Sequence, residues 1–142
     1  MLVGGPTQTR PMTTTTAAAA LVAPFTVPPG WRVHRRGPAL VATGPGSVPA
    51  RLEWRCGWPP AYEAEVVEDE DSVDLAGREV GYRRVGHRAG GRELLSEEWT
   101  WSLGEERRVL TGTVAREAYL SVCDLFEDVA ATVEPWTSSW SS

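Results

Sequence analysis

The sequence predicts an α+β domain, a mostly antiparallel sheet of about six strands with a C-terminal helix packed on it. Two observations predict this class. Between residues 31 and 114, several segments alternate apolar and polar side chains with a period of two, as half-buried strands do. Near the C-terminus the period changes to three and four in one segment, which is typical of an amphipathic helix.

The chain of 142 residues has the usual size of one domain. Hydrophobic residues make up 42% and charged residues 23%, an ordinary globular composition that argues against a fibrous or disordered protein. Residues 1–24 are mostly Thr, Ala, Gly and Pro, and we expect them to form a disordered arm because they have little to bury. The folded domain is predicted to span residues 25–136, followed by a flexible tail at 137–142.

The first predicted strands are short. Trp31–Arg35 and Ala39–Thr43 flank a turn at Gly37 and are predicted to form a hairpin. The next segment, Arg51–Cys56, alternates strictly and is predicted to be a half-buried strand. Its apolar side consists of Leu52, Trp54 and Cys56.

Three longer segments, joined by glycine-containing turns, are predicted to form a meander: Arg78–Arg88, Leu95–Leu103 and Arg107–Val114. The second of them has one apolar side that only Glu97 interrupts. In the first, the apolar residues change from even to odd positions. We therefore expect a β-bulge at Arg83–Arg84.

The segment Ala61–Asp74 has seven acidic residues and no basic one, and we expect it to be a solvated loop or helix face. It lacks the glycine and the final glutamate of an EF-hand, so it is not predicted to bind calcium. Arginine-rich segments offset part of this charge, and we expect the two signs to neutralise each other across strands. The net charge of −5 argues against nucleic acid as a partner.

The predicted helix lies near the C-terminal end. Its apolar stripe recurs at intervals of three and four residues and consists of Tyr119, Val122, Phe126, Val129 and Val133. Pro135 ends it, because a proline disfavours the helical conformation of the residue before it.

Four short motifs occur along the chain in this order: Phe25–Trp31, Asp74–Glu79, Leu110–Thr113, and the closing helix with Tyr119 and Phe126. Together they resemble the Mog/PsbP-like superfamily, which includes the DcrB-like proteins and the Eag chaperones of type VI secretion effectors. The resemblance implies a bacterial protein with a sheet of six or so strands flanked by helices, whose function is binding rather than catalysis. The chain lacks the exported cysteine of the lipoprotein members, and it departs from the Eag chaperones in its short, acidic central segment Ala61–Asp74.

No motif for catalysis or for a cofactor is present, and the sequence therefore predicts no catalytic residue, no metal site and no cofactor. His34 and His87 are the only histidines, and no Gly-x-Ser-x-Gly motif or Cys-x-x-Cys pair accompanies them. Cys56 and Cys123 are predicted to be inert core residues. Two cysteines and the absence of about 18 consecutive apolar residues favour a cytoplasmic protein without a membrane span.

Seven tryptophans are the one unusual feature of the composition. Trp54, Trp99 and Trp101 fall on apolar strand faces, and filling the core is one explanation. The other is an open sheet face that grips an apolar segment of a partner protein, with Trp58 taking part. In that case the arginines Arg83, Arg84 and Arg88 would steer an acidic rim of the partner.

The sequence thus favours a non-enzymatic protein-binding module, a cytoplasmic adaptor or chaperone-like protein associated with secretion. The alternative is a structural or accessory subunit of a larger bacterial assembly, which would expose apolar patches and self-associate. A small-ligand carrier or an enzyme is the least supported class.

Overall fold

Residues 23–46 and 49–136 are described by the structure, a computed structural model. They form one antiparallel sheet of seven strands: β1 (Arg32–Arg36), β2 (Ala39–Thr43), β3 (Arg51–Cys56), β4 (Glu63–Leu75), β5 (Arg78–Ala89), β6 (Arg92–Leu103) and β7 (Glu106–Ala115). The spatial order is β1-β2-β3-β7-β6-β5-β4. A 3₁₀ turn at Arg116–Ala118 leads into helix α1 (Tyr119–Ala131). The α+β class, the hairpin, the meander and the C-terminal helix are confirmed, but the helix ends at Ala131, before the Val133 and Pro135 that were predicted to close it.

The strand that the sequence did not predict is β4, the acidic segment expected to be a loop or helix face. It pairs with β5 at one edge of the sheet, and nearly all of its side chains are exposed. An edge strand with two solvated faces has no reason to alternate apolar and polar residues, so the usual strand signal is absent. Acidic residues disfavour strands, but here Asp69 and Glu70 lie opposite Arg84 and Arg83 of β5.

The bulge expected at Arg83–Arg84 is not found. The register of β5 with β6 runs without a shift from Gly81 to Ala89, and the irregularities lie in β4 instead. Val80 and Val85 are both fully buried although they point to opposite faces of the sheet. The change of parity therefore reflects burial of both faces of β5.

One face of the sheet, here called the helix-side face, is covered by α1 and by the segment that precedes β1. Phe126 and Val133 of the predicted stripe are buried there, and Phe25 of the N-terminal segment joins the same cluster. Gly112 of β7 lies under the Phe126 ring, where a Cβ atom would come within 2.7 Å of Cδ2. The Glu134 amide donates to the Pro24 carbonyl at 2.7 Å and ties both ends of the domain together.

The opposite face, here called the second face, is covered by the loop of residues 57–62. This loop runs from β3 across β7, β6 and β5 to reach β4. Tyr62 at its end stacks on His87 of β5, with ring centroids 4.2 Å apart. Because six residues cover much less area than a helix, both ends of the second face stay open.

The expected neutralisation of the acidic segment is confirmed in part: Glu65 and Glu68 form ion pairs with arginines of β5, but the carboxylates from Asp69 to Asp74 form none with the described residues. No helix in residues 23–46 or 49–136 is long and apolar enough to cross a membrane. The predicted N-terminal arm up to residue 22 and the predicted tail at 137–142 lie outside the described residues. Ala23 and Pro24, assigned to that arm, pack against the domain.

Candidate functional site

The tryptophans on the strand faces fill the core. Trp54 is fully buried, and Trp99 and Trp101 are 2% and 3% exposed beneath α1. The rings of Trp54 and Trp101 contact each other with centroids 5.7 Å apart. The structure therefore contradicts the open tryptophan face, because these three rings are almost inaccessible to a partner. Trp58 differs, because 69% of it is exposed.

The three predicted arginines do not form one rim. Arg83 lies on the second face, where its Nε donates to Glu98 Oε1 at 2.8 Å. Arg84 lies on the helix-side face, with its guanidinium 6.0 Å from the Tyr119 ring. Arg88 is exposed near the end of β5 and pairs with Glu93 at 3.2 Å. The adjacent positions of Arg83 and Arg84 put them on opposite faces because side chains alternate along a strand.

A cleft of about 390 Å³ lies between the 57–62 loop and the adjacent ends of β5, β6 and β7. We call it the Trp58 cleft; its lining includes Trp58, Pro59, Pro60, Glu70, Asp71, Arg83 and Glu98. Gly57, with a φ of +96°, turns the chain out of β3 and starts the loop. The Arg107 guanidinium stacks 3.9 Å from the Trp58 ring centroid and holds it at the cleft mouth. Of the residues predicted from sequence, the cleft brings Trp58 and Arg83 together.

The carboxylate at the base of this cleft is compensated. Glu98 is 1% exposed and accepts hydrogen bonds from Arg83 and from the Tyr62 hydroxyl, the latter at 2.6 Å. Burial, together with the hydrogen bond to Glu98, raises the pKa of Tyr62, so this hydroxyl stays protonated and donates. The hydrogen bond to Glu98 likewise raises the pKa of Arg83.

The outer edge of β4 borders the same cleft. From Asp69 to Leu75 the strand pairs with β5 in unbroken register, and no described strand pairs with its other edge. This stretch has four carboxylates that form no ion pair with any described residue: Asp69, Glu70, Asp71 and Asp74. Glu70 and Asp71 also line the cleft, together with Arg83 and Arg107, so carboxylates of the β4 edge lie near the exposed Trp58 ring.

Behind the cleft, the second face contains a buried polar cluster that the sequence did not predict. The Ser96 hydroxyl lies 2.8 Å from His87 Nε2 and 2.6 Å from Thr113 Oγ1. Burial lowers the pKa of His87, so its ring is neutral near pH 7. A serine next to a histidine has the composition of a nucleophile with its base, but Ser96 is fully buried and no substrate carbonyl can reach it.

The cysteines lie apart from this cluster. Cys56 is exposed, contrary to the prediction of a core position, because it is the last residue of β3 and lies beyond the covered part of the sheet. Cys123 is partly buried, and its thiol points to the Leu120 carbonyl at 3.8 Å. Within residues 23–46 and 49–136, no group of three or more histidine, cysteine or acidic side chains could hold a metal ion.

Comparisons with known proteins identify the fold alone. No family model and no curated protein matches the chain. Among solved structures, the protein of unknown function PA94 from Pseudomonas aeruginosa aligns with a TM-score of 0.58 at 9% identity, covering 75% of this chain and 98% of that one. A protein from Bacteroides thetaiotaomicron aligns with a TM-score of 0.57 at 15% identity; 82% of this chain is covered, and the chain spans about half (47%) of that protein.

A third solved structure is LpqN of Mycobacterium tuberculosis, a protein involved in cell envelope biogenesis. It aligns with a TM-score of 0.51 at 11% identity, covering 78% of each chain. At identities of this level the likeness concerns the backbone and not the residues of a site. The chain thus shares a sheet-plus-helix fold with these three bacterial proteins.

Proposed function

We propose that this chain is a non-enzymatic protein-binding module, an adaptor or chaperone-like protein that adds an extended basic segment of a partner to the outer edge of β4. The observation that carries the proposal is the stretch Asp69–Leu75, an unpaired strand edge of regular register with four carboxylates that form no ion pair within 4 Å with a described residue. Its place beside the Trp58 cleft supports the same proposal.

The backbone of β4 supplies the affinity. An edge strand presents a row of unpaired N–H and C=O groups, and an incoming strand satisfies them with main-chain hydrogen bonds. The bulged half of β4, from Glu63 to Asp69, is irregular and a poor template. The regular half is seven residues long, which is enough for a short strand.

The charge of β4 selects the partner. Charged edge strands commonly prevent edge-to-edge aggregation, and here four like charges repel the β4 edge of a second copy. The same charges attract a basic strand, because opposite charges across neighbouring strands stabilise a pair. The β4 edge therefore disfavours self-pairing and favours a segment rich in Lys or Arg.

The Trp58 cleft supplies specificity. In strand addition, pockets beside the edge receive alternate side chains of the added segment. The apolar surfaces of Trp58, Pro59 and Pro60 suit the aliphatic stem of a lysine or arginine, and Glu70 and Asp71 suit its charge. In this proposal Trp58 contacts the partner without an open tryptophan face, and Arg83 compensates Glu98 at the base of the cleft.

The resemblance to the Mog/PsbP-like superfamily supports a binding role over a catalytic one. Within that superfamily the Eag chaperones hold segments of secreted effectors, and we propose a secretion-associated partner for this chain on that resemblance. A cytoplasmic location belongs to the same proposal.

The test uses the full chain and a labelled nine-residue peptide that alternates Lys and Val, followed by fluorescence anisotropy. We expect saturable binding that weakens about tenfold in the triple variant D69N/E70Q/D71N, because each rim charge contributes about 0.3–0.5 kcal/mol. The control D124N/E127Q/D128N removes the same three charges from α1 and should change the dissociation constant less than threefold. Equal loss in both variants, or binding of a peptide whose central Val is replaced by Pro, would contradict strand addition.

A second candidate, a subunit of a larger assembly, is favoured by the opposite edge of the sheet. The strand β1 at that edge contains Arg32, Arg35 and Arg36, so the two edges of one molecule carry complementary charge. Pairing β1 of one copy with β4 of the next would be head-to-tail and open-ended. Sedimentation at low salt should then show concentration-dependent oligomers that dissociate at high salt, whereas a monomer at all concentrations would exclude this candidate.

A further inference from the structure

We propose that the end of the second face remote from the Trp58 cleft is a binding site for a small organic anion, a ligand with an anionic head and an apolar body. The site is a cavity of about 370 Å³, here called the arginine cleft, with four basic side chains in its lining: His34, Arg36, Arg51 and Arg92. This volume lies at the small end of the range for ligand sites. Because its residues differ from those of the β4 edge, the proposal does not depend on the proposed function.

The positive charge of the arginine cleft is not balanced. No acidic residue lines it. Arg92 shares its charge with Glu117 at 3.3 Å, but Arg36 and Arg51 form no ion pair with any described carboxylate. Two uncompensated guanidinium groups in one concavity can hold a carboxylate or a phosphate through charge-assisted hydrogen bonds.

Of the apolar lining residues, Pro49 and Leu94 present accessible surface, whereas Val41, Val114 and Ala115 are buried; two threonines complete the lining. Such a surface gains nothing from a bare inorganic ion, because only an apolar group profits from leaving water there. A ligand that places its head on the arginines and its body on this surface satisfies both parts of the cleft. The chemistry therefore corresponds to an amphipathic anion.

A chain of hydrogen bonds links the arginine cleft to the buried polar cluster. Thr113 lines the cleft, and its hydroxyl lies 2.6 Å from the Ser96 hydroxyl, which lies 2.8 Å from His87 Nε2. When His87 donates to Ser96 and Ser96 donates to Thr113, the Thr113 hydroxyl is left to donate to an anion in the cleft. His87 thus reports on the occupancy of the site from behind it.

Nuclear magnetic resonance of the full chain tests this site, since His34 and His87 are the only histidines. The probes are octanoate and octyl phosphate below their micelle concentrations, with acetate and 1-octanol as controls that lack the body or the charge. We expect saturable shifts of both imidazole signals with one or both octyl anions, and at least tenfold weaker binding of acetate and octanol. Whichever of the two octyl anions binds with the higher affinity identifies the preferred head group of the ligand as a carboxylate or a phosphate.

Variants locate the binding. Arg36→Gln and Arg51→Gln should each weaken the octyl anion about tenfold, the loss expected for one charge-assisted hydrogen bond. Arg32 lies on the same strand but outside the cleft, so the control Arg32→Gln should change the affinity less than twofold. Since Arg36 is exposed, its variant remains informative even if Arg51→Gln impairs folding. Unchanged imidazole signals, or equal losses in Arg32→Gln and Arg36→Gln, would overturn the proposal.

Discussion

The two faces of the sheet differ in what covers them, and this difference decides where a partner can bind. On the helix-side face, α1 presents a continuous apolar stripe, and tryptophans such as Trp54 are sealed beneath it. On the second face, the 57–62 loop covers only the middle, over His87 and Glu98. The loop leaves the Trp58 cleft and the arginine cleft at its two ends, and α1 leaves a cleft of about 270 Å³ beside Tyr119. The tryptophan core and the two proposed clefts are thus on opposite sides of one sheet.

The largest effect is expected from emptying the helix-side core. Replacing the fully buried Trp54 by Ala should lower the free energy of unfolding by about 3–5 kcal/mol, because a large cavity forms and apolar contacts are lost. The matched variant Trp58→Ala, at a ring 69% exposed, should cost no more than about 0.5 kcal/mol. Urea denaturation measures both. Similar losses in the two variants would contradict the assignment of Trp54 to a sealed core.

On the second face, the next largest effect on the free energy of unfolding is expected from breaking the Arg83–Glu98 ion pair. Arg83→Met should destabilise the domain by about 2–3 kcal/mol, less than for a fully buried pair, because the Arg83 side chain is 28% exposed. The loss arises because Glu98 stays buried with only the Tyr62 hydrogen bond to stabilise its charge. Adding Glu98→Met should recover part of the loss, since no buried charge then remains. A double variant less stable than Arg83→Met would contradict this explanation.

The two faces should also respond to pH in opposite directions. On the helix-side face, burial raises the pKa of Glu97 above its ordinary 4.5, despite hydrogen bonds from Tyr82 and Tyr119. Stability from this group is therefore present below pH 4.5 and is lost as the pH rises through the raised pKa. On the second face, burial lowers the pKa of His87 below 6.5, so its contribution is present above pH 6.5 and is lost as the pH falls through the lowered pKa.

Denaturation between pH 4 and pH 8 separates these two contributions. Glu97→Gln should remove the fall in unfolding free energy on the alkaline side of the profile. His87→Gln should remove the fall on the acidic side. His34→Gln is the control for the second variant, because His34 is exposed. If both variants left the pH profile unchanged, burial would not be the cause of the two shifts.

The smallest effect is expected at the exposed counterpart of the Arg83–Glu98 pair. Arg88 and Glu93 pair across the same two strands at 3.2 Å, but their side chains are 55% and 57% exposed. Arg88→Ala should therefore change the free energy of unfolding by at most about 0.5 kcal/mol. Thermal denaturation at low and high salt measures it. A loss comparable to that of Arg83→Met would show that burial does not distinguish the two pairs.

The sequence could predict elements with one buried and one solvated side. The helix stripe with Phe126 and the strand Arg51–Cys56 are of this kind. It could not predict β4, whose two faces are both solvated, and it led to a wrong bulge in β5, whose two faces are both buried. In each case the alternation that indicates a strand is missing for a physical reason.

The site was predictable only in part. Trp58 and Arg83 were named from the excess of tryptophan and the arginine-rich segment, but for an open tryptophan face rather than for the cleft that both of them line. The contact of Tyr62 with His87 depends on a loop that crosses three strands, and no local pattern encodes it. Ser96 and Glu98 of β6 looked like part of a solvated side because they are polar, yet both are buried.

Amide hydrogen exchange of the full chain, with and without the basic Lys/Val peptide, tests most directly whether partners bind the β4 edge while the helix-side face stays closed. We expect amides of Asp69–Leu75 to exchange more slowly with the peptide, and those of α1 to be unchanged, because the added strand satisfies the β4 edge and leaves the helix in place. Faster exchange in α1 with no protection of β4 would contradict the account, because the helix would then be lifting to expose Trp54, Trp99 and Trp101.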